Sequence, residues 1–285
     1  MSGAQQGKGA KPARSNLQLR IMSALVLGAL VLIVTYFGGV AFRILSAAIA
    51  AAIFYEWTAM RQDRVPPVHL AIAVVLLAVI LLAMVLGQAA TTVILLLLGG
   101  LVLLAAHGLV SGAGLASTAG LAYAAGPALA LAYLRGGDAA GLLAILFLFA
   151  VVWTTDTMAY FTGRAIGGAK LAPSISPGKT WSGAIGGALF ALLAGVAFAF
   201  HDKAVYGALI VGGVALLLAV VSEVGDLFES ALKRRQGVKD SSNLIPGHGG
   251  VMDRVDGLMV AALVFYVIAA LIAGPDTPAH AFFRF

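Results

Sequence analysis

The chain contains no cysteine, and only 11% of its 285 residues are charged. Without cysteine, neither a disulfide framework nor a thiolate metal site can form. About a quarter of the residues of an average soluble domain are charged. The low charge here, together with 61% hydrophobic residues and a mean hydropathy of +1.01, excludes an ordinary soluble domain. The composition is that of an all-α integral membrane protein.

Long apolar segments recur along the whole chain. About twenty apolar residues span a bilayer as a helix, and the sequence predicts about nine transmembrane helices. Their approximate ranges are 19–37, 41–60, 68–86, 91–106, 115–134, 139–162, 181–200, 204–232 and 251–273. Residues 1–18 are polar, Gly-rich and basic, and we expect them to form a disordered cytoplasmic tail. Residues 275–285 form a short C-terminal tail.

The positions of the basic residues predict the orientation. With the N-terminus in the cytoplasm, fourteen Lys and Arg residues lie inside and four lie outside, as the positive-inside rule requires. The net charge of +6 is therefore better explained by lipid headgroups and phosphate substrates than by nucleic acid. We expect a multi-pass protein of the inner membrane whose functional site faces the cytoplasm.

Charge is concentrated between residues 222 and 257, which contain six of the twelve acidic residues. Charged groups in or beside a bilayer are costly and indicate a functional site. Ser222, Asp226 and Lys233 recur at helical spacing near the end of the eighth span, with Glu223 and Glu229 beside them. A structural salt bridge would not need three carboxylates in seven residues, so metal binding is favoured for Asp226. The roles of Glu223 and Glu229 stay open.

The loop that follows leads into the ninth span. Its glycines, among them Gly249 and Gly250, allow positive φ and close approach to a ligand. The free N–H groups of the next helix would form an anion site suited to phosphate. Asp253 and Asp256 lie three residues apart on its first turns, and two carboxylates at this spacing suit Mg²⁺.

A second polar loop precedes the seventh span. It contains the sequence SPGKT at 176–180, which lacks the spacing of a P-loop. Lys179 and Thr180 at a helix start are nonetheless good phosphate contacts. Asp156, in the sixth span, either serves function or packs as a hydrogen-bonding partner. Glu56, near the end of the second span, is read as a snorkelling residue or a partner of Arg61.

These motifs together resemble the signature of the phosphatidate cytidylyltransferases, the CDP-diacylglycerol synthases. The resemblance rests on Ser230-Ala-Leu-Lys-Arg, Lys239-Asp240 and the run from Pro246 to Asp256, with Asp156–Tyr160 and Ser176–Thr180 as two further motifs. It implies a multi-span helical fold, CTP and phosphatidic acid as substrates, a Mg²⁺-centred site, a possible second cation and a homodimer. Residues 19–138 would then be a scaffold of about five spans, and 139–274 a catalytic region with two cytoplasmic motif loops.

The resemblance also implies site residues. The metal carboxylates would be Asp226, Asp253 and Asp256, and the catalytic set would also include Lys239 and His248. The substrate-binding residues would be Asp156, Ser176, Lys179, Thr180, Ser222, Lys233, Arg234, Gly249, Gly250 and Arg254.

The expected reaction is attack of the lipid phosphate on the α-phosphate of CTP, which yields CDP-diacylglycerol and pyrophosphate. Three other classes remain as alternatives. An ion-coupled transporter would also contain buried carboxylates, but its polar groups would lie at mid-membrane. A related lipid enzyme, such as a polyprenol kinase or an archaeal-type CDP-lipid synthase, would differ in its acceptor. A structural membrane protein would leave the charged stretch unexplained.

Overall fold

A computed structural model describes residues 16–61, 65–245 and 249–284. Each of the nine predicted segments coincides with a helix. The helices are α1 (Asn16–Phe37), α2 (Gly39–Met60), α3 (Pro67–Val85), α4 (Ala90–Val110), α5 (Ala116–Arg135), α6 (Ala139–Ile166), α7 (Trp181–Phe198), α8 (Ala208–Arg235) and α9 (Met252–Ala273), followed by a short 3₁₀ helix at Pro278–Ala281. The predicted all-α membrane fold is confirmed.

Seven of the helices in the described part are long and apolar enough to cross a membrane: α2, α3, α4, α6, α7, α8 and α9. α5 does not meet this measure, and only Leu25–Phe37 of α1 enters the comparison, as a shorter apolar helix. The predicted count of nine spans and the predicted orientation therefore stay predictions. The tail at residues 1–15 lies outside the described residues.

Small residues bring α6 and α7 into close contact. A Cβ atom at Gly183 would lie 2.7 Å from the carbonyl oxygen of Ala159, and one at Gly187 would lie 2.7 Å from that of Thr155. Close backbone approach of this kind is a main source of helix association in lipid. The interface fixes the start of α7 beside the end of α6, where the two predicted motif segments meet.

A two-stranded antiparallel hairpin, not predicted from the sequence, connects α6 to α7. It consists of β1 (Lys170–Ala172) and β2 (Ser176–Thr180), with Lys170 opposite Thr180 and Ala172 opposite Ser176. β2 contains the SPGKT motif and runs directly into α7. Lys179 is therefore held in a strand at the end of the bundle rather than in a free loop.

The predicted C-terminal tail packs back on the helices. Asp276 accepts a hydrogen bond from the N–H of Ala90 at the start of α4, at 2.6 Å. His280 Nε2 lies 2.7 Å from the Asp138 carboxylate at the start of α6. Phe282 and Phe283 are buried among the helices. These contacts all lie at the end of the bundle opposite the two motif loops.

Arg135 connects three elements at that same end. Its side chain is buried, and it donates to the carbonyl oxygens of Thr35, Tyr36 and Asp138 at 2.5, 2.9 and 3.0 Å. Thr35 and Tyr36 belong to the last turn of α1, whose carbonyl groups have no partner within the helix. One guanidinium therefore caps α1 and attaches it to the α5–α6 connection.

We expect Arg135→Lys to lower the free energy of unfolding by about 2–4 kcal/mol, because one ammonium cannot reach three diverging carbonyl groups and leaves buried acceptors unsatisfied. Thermal unfolding in detergent would measure the change. Arg43→Lys is the matched control, since Arg43 makes one long contact, 3.5 Å to the carbonyl of Met84. Equal losses in the two variants would contradict the capping role.

Candidate catalytic site

Three carboxylates converge where α8 and α9 meet. Asp226 and Glu229 lie one turn apart on α8, and Asp256 lies on the second turn of α9. One oxygen from each lies within 4.8 Å of the other two. Glu229 is fully buried, and Asp226 and Asp256 are half-buried. Such a concentration of negative charge in an apolar bundle requires compensation by cations.

The structure departs from the predicted metal set at Asp253. Its Oδ1 lies 2.5 Å from Lys233 Nζ, and its Oδ2 accepts from the N–H of Ser241 at 3.0 Å and the N–H of Gly250 at 2.8 Å. Both oxygens are therefore already bonded, and Asp253 is not part of the carboxylate cluster. The cluster contains Glu229 in its place. Sequence spacing could not separate the two, because each lies three residues from another acidic residue.

The donor set of the cluster fits a hard divalent cation. It offers only carboxylate oxygens, the ligand type that Mg²⁺ takes in proteins. Among the described residues, Oε1 of Glu229 is buried without a hydrogen-bonding partner. Two lysines adjoin the cluster: Lys179 Nζ lies 2.8 Å from Asp226 Oδ2, and Lys233 Nζ lies 3.0 Å from Glu229 Oε2. Three ionised carboxylates and two lysines have a net negative charge, which a bound cation would compensate.

A cavity of about 570 Å³ opens beside the cluster, between α6, the hairpin, α7 and α8. Its acidic lining residues are Asp156, Glu223 and Asp226, and its basic ones are Arg164, Lys170 and Lys179. Asp226 belongs to both the cavity and the carboxylate cluster. The cavity is therefore continuous with the candidate metal site, and cations line its other wall.

The hairpin and the end of α6 carry the basic residues of the cavity, Lys170 and Lys179 on the hairpin and Arg164 on α6. Thr180 is the N-cap of α7, and its hydroxyl accepts from the N–H of Gly183 at 3.1 Å. This cap fixes the strand-to-helix turn and so directs Lys179 towards Asp226. Ser182 donates to the carbonyl of Gly167 at 2.5 Å and holds the other end of the connection. Of the predicted substrate-binding residues, Asp156, Lys179 and Thr180 line the cavity.

At the predicted phosphate site at the start of α9, three backbone N–H groups already donate to carboxylates of the protein. Val251, the N-cap residue, contributes no side-chain cap. Its N–H and that of Met252 donate to Glu56 at 2.8 and 2.7 Å, and the N–H of Gly250 donates to Asp253. These groups are not free for a substrate anion. Gly249 has the expected positive φ, +82°, and because it has no Cβ atom, which would lie 2.7 Å from Oδ2 of Asp253, the carboxylate can lie close to the loop.

The remaining predicted substrate-binding residues do not line the cavity. Ser222 is buried against Gly257, which lets α8 and α9 approach closely. Arg234 donates to the carbonyl groups of Ile175 and Val238, so it joins α8 to the hairpin. Ser176 begins β2 and pairs with Ala172. Arg254, also predicted to bind substrate, and Lys239, predicted to be catalytic, are exposed. His248, the other residue predicted to be catalytic, lies outside the described residues.

The structure contradicts both predictions made from the sequence for Glu56. Neither snorkelling nor pairing with Arg61 describes it, because its carboxylate is fully buried and Arg61 donates to Ser117 instead. A carboxylate one turn from the end of an apolar span gave no signal of a distant partner. The contacts join residues 195 and 196 positions apart and could be found only from the folded chain.

Comparisons with known proteins show the family of the chain. A sequence model described as the Cytidylyltransferase family matches residues 18–272. The phosphatidate cytidylyltransferase of Brucella suis is 48% identical over 271 residues, which cover 95% of this chain and 100% of that protein. That of Bacillus subtilis is 40% identical over 140 residues, covering 49% of this chain and 52% of that protein. The chain therefore belongs to the cytidylyltransferase family.

Proposed function

We propose that this protein is a phosphatidate cytidylyltransferase that transfers CMP from CTP to phosphatidic acid. The observation that carries the proposal is the junction at Asp226, where a carboxylate cluster meets a cavity with a basic wall at one end of a membrane bundle. Family membership and the names of the full-length relatives support this substrate pair.

The reaction requires little covalent chemistry from the protein. The phosphate monoester of phosphatidic acid has a second pKa of about 6, by analogy with other phosphate monoesters, so it is mainly a dianion at neutral pH. One of its oxygens forms a new bond to the α-phosphorus of CTP, while the bond from that phosphorus to the bridging oxygen breaks and pyrophosphate departs. Positioning and charge neutralisation are then the main contributions of the protein.

The basic wall is suited to the phosphates of CTP. Lys179 faces Asp226 across 2.8 Å, and Arg164 and Lys170 lie along the same cavity. Arg164 also donates to the hydroxyl of Tyr160 at 3.1 Å. We assign Lys179 to the phosphate chain and propose that Asp156, on α6 in the same cavity lining, orients the nucleotide. Charged hydrogen bonds of this kind stabilise the departing pyrophosphate.

Mg²⁺ would be held by Asp226, Glu229 and Asp256. Glu229 replaces Asp253 in the set that was predicted from the sequence. When bound there, the ion would neutralise phosphate charge next to the cavity. The ammonium of Lys233 lies between Glu229 and Asp253 and contacts both carboxylates. The contact with Glu229 would keep that carboxylate directed towards the cluster. The assignment leaves a second cation possible at the acidic side of the cavity.

We further propose that the two motif loops face the cytoplasm of a bacterial inner membrane, where CTP is available, and that the chain forms a homodimer. The diacylglycerol chains stay in the lipid and reach the site between helices. Exposed apolar side chains on the outer faces of α6, α7 and α8, such as Trp153, Leu189 and Val220, support lipid contact along these helices.

Purified protein incubated with labelled CTP, phosphatidic acid and Mg²⁺ should transfer label into the lipid phase and release pyrophosphate. CTP labelled on its γ-phosphate, with diacylglycerol or a polyprenol in place of phosphatidic acid, tests the kinase alternative, because a kinase transfers that phosphate and releases CDP, whereas cytidine-labelled CTP reports transfer of CMP. EDTA should stop the reaction, and Mg²⁺ added in excess should restore it. Transfer to neither lipid class, from protein that is folded and binds Mg²⁺, would refute the proposed activity.

Asp226→Asn and Asp256→Asn should each reduce the rate of nucleotide transfer by at least about a thousandfold, because each removes one negative ligand from a site that stabilises transition-state charge. The same variants should lose most of the rise in thermal unfolding temperature that Mg²⁺ causes in the unchanged protein. Asp202→Asn, an exposed substitution at the opposite end of the bundle, is the control. Wild-type rates in either variant would remove that residue from the metal site.

Glu229→Gln and Asp253→Asn should change the stability of the metal-free protein in opposite directions. Neutralising Glu229 weakens its contact with Lys233, but it relieves repulsion from Asp226 and Asp256, and Lys233 keeps Asp253 as its nearer partner, so the unfolding temperature should rise. Neutralising Asp253 breaks a bonded group and leaves Lys233 with one partner fewer, so the temperature should fall. Thermal unfolding in EDTA measures both. The reverse pattern would restore Asp253 as the ligand and Glu229 as the structural group.

Lys179→Ala should raise the KM for CTP by about ten- to a hundredfold, since it removes a cation from the proposed phosphate contacts, at about 1.5–3 kcal/mol for a charged hydrogen bond. The KM for phosphatidic acid should change much less. Lys203→Ala, on the opposite end of the bundle, is the matched control. An unchanged KM for CTP would place Lys179 in structure alone.

A further inference from the structure

Glu56 lies at the centre of a hydrogen-bond network that joins α2 to the start of α9. Its carboxylate is fully buried and accepts four hydrogen bonds. Oε1 accepts from the hydroxyl of Ser242 at 2.6 Å and the N–H of Val251 at 2.8 Å. Oε2 accepts from the hydroxyl of Ser241 at 3.1 Å and the N–H of Met252 at 2.7 Å.

The pattern of donors requires a carboxylate in particular. Each oxygen of Glu56 faces one backbone N–H and one serine hydroxyl. A glutamine amide at this position, in either orientation, would turn its NH₂ group towards one of the two backbone N–H groups. A serine hydroxyl can rotate and accept a hydrogen bond, but a backbone N–H cannot. Glutamine therefore has the right size and the wrong hydrogen-bonding pattern.

Charge also distinguishes Glu56 from an ordinary buried acid. Among the residues that the structure describes, it has no Lys, Arg or His partner within ion-pair distance. Its negative charge is instead held by the first N–H groups of α9, the positive end of that helix dipole. Glu56 thus performs from another helix the capping role that Val251 cannot perform.

A continuous set of contacts leads from Glu56 to the carboxylate cluster. The hydroxyl of Ser241 lies 3.1 Å from Glu56 and 3.0 Å from Asp253, and it can donate its single hydrogen to only one of them at a time. Asp253 bonds Lys233, and Lys233 lies beside Glu229. Asp256 follows on the same helix that Glu56 caps. Glu56 therefore helps to position Asp256, through the start of α9, and Lys233 beside Glu229, through Ser241 and Asp253.

Gly250 is the residue that permits this arrangement. A Cβ atom there would lie 2.5 Å from Glu56 Oε1 and would also collide with the hydroxyl of Ser241. The loop can approach Glu56 only where position 250 has no side chain. Gly250 thus permits the loop to approach Glu56, and its predicted role in substrate binding stays a prediction.

We propose that Glu56 is a positioning residue for the candidate metal site: it fixes the start of α9 and the preceding loop, and through them the orientation of Asp256 and of the Asp253–Lys233 pair. α2 therefore contributes to the site although none of its residues lies in the cluster or the cavity lining. The effect on turnover rests on the proposed function, but the effect on cation binding does not.

The test compares Glu56→Gln with Asp276→Asn. Asp276 also caps a helix from a distant part of the chain, through the N–H of Ala90, but at the opposite end of the bundle. Both variants should unfold at lower temperature. Only Glu56→Gln should raise the Mg²⁺ concentration that half-maximally stabilises the protein against unfolding, by about ten- to a hundredfold, the range typical of residues that orient metal ligands.

Turnover gives an independent reading. Glu56→Gln should lower kcat at saturating CTP by at least about tenfold, with part of the loss recovered at high Mg²⁺, while Asp276→Asn should retain the kcat of the unchanged protein. If the unchanged protein transfers no label but still shows the Mg²⁺ response and its loss in Glu56→Gln, the proposed activity fails and the positioning role stands.

Two adjacent serines provide a milder pair. Ser241→Ala and Ser242→Ala each remove one hydroxyl donor to Glu56, but only Ser241 also contacts Asp253 through its hydroxyl. We expect Ser241→Ala to shift the Mg²⁺ midpoint more than Ser242→Ala, and this pair decides the question if Glu56→Gln does not fold. Equal shifts in the two serine variants, a wild-type Mg²⁺ midpoint in Glu56→Gln, or the same shift in Asp276→Asn would each overturn the proposal.

Discussion

The interaction on which the site depends is the compensation of buried negative charge where α8 meets α9. Asp226, Glu229 and Asp256 are brought within a few ångströms by two apolar helices, where repulsion between carboxylates is weakly screened. The described chain supplies only part of the opposite charge. Lys179 arrives from the hairpin and Lys233 from α8 itself, each beside one carboxylate. The hairpin, the α6–α7 interface and the loop before α9 are arranged so that these cations reach their places.

The sequence was sufficient to predict the helices, because hydropathy over about twenty residues is a local property. It predicted the short turn between α3 and α4 and the functional weight of residues 222–257. The hairpin was not predicted because its strands are only three and five residues long and the second contains Pro177. Spacing could not separate Asp253 from Glu229 either, since the difference depends on which carboxylate the N–H groups of Ser241 and Gly250 bind in the folded chain.

The predicted division into an N-terminal scaffold and a C-terminal catalytic region describes where the motifs lie, but it does not include the contacts between the two regions. All the family-like motifs lie after residue 155, yet the start of α9 is capped by a carboxylate from α2. Helix starts need acceptors for their first N–H groups, and α9 finds one outside its own segment. A motif search detects residues that meet the substrate and passes over residues that hold those residues in place.

The position of Asp226 couples the two halves of the site. It belongs to the carboxylate cluster on one side and to the cavity on the other, and Lys179 lies against it. A nucleoside triphosphate that entered the cavity would attract Lys179 towards its phosphates and away from Asp226. The carboxylate cluster would then carry more uncompensated negative charge. Binding of a cation at the cluster would then become more favourable, and by reciprocity a bound cation would favour the nucleotide. If the proposed ligands bind there, one lysine shared between a carboxylate and a phosphate would make their binding positively cooperative.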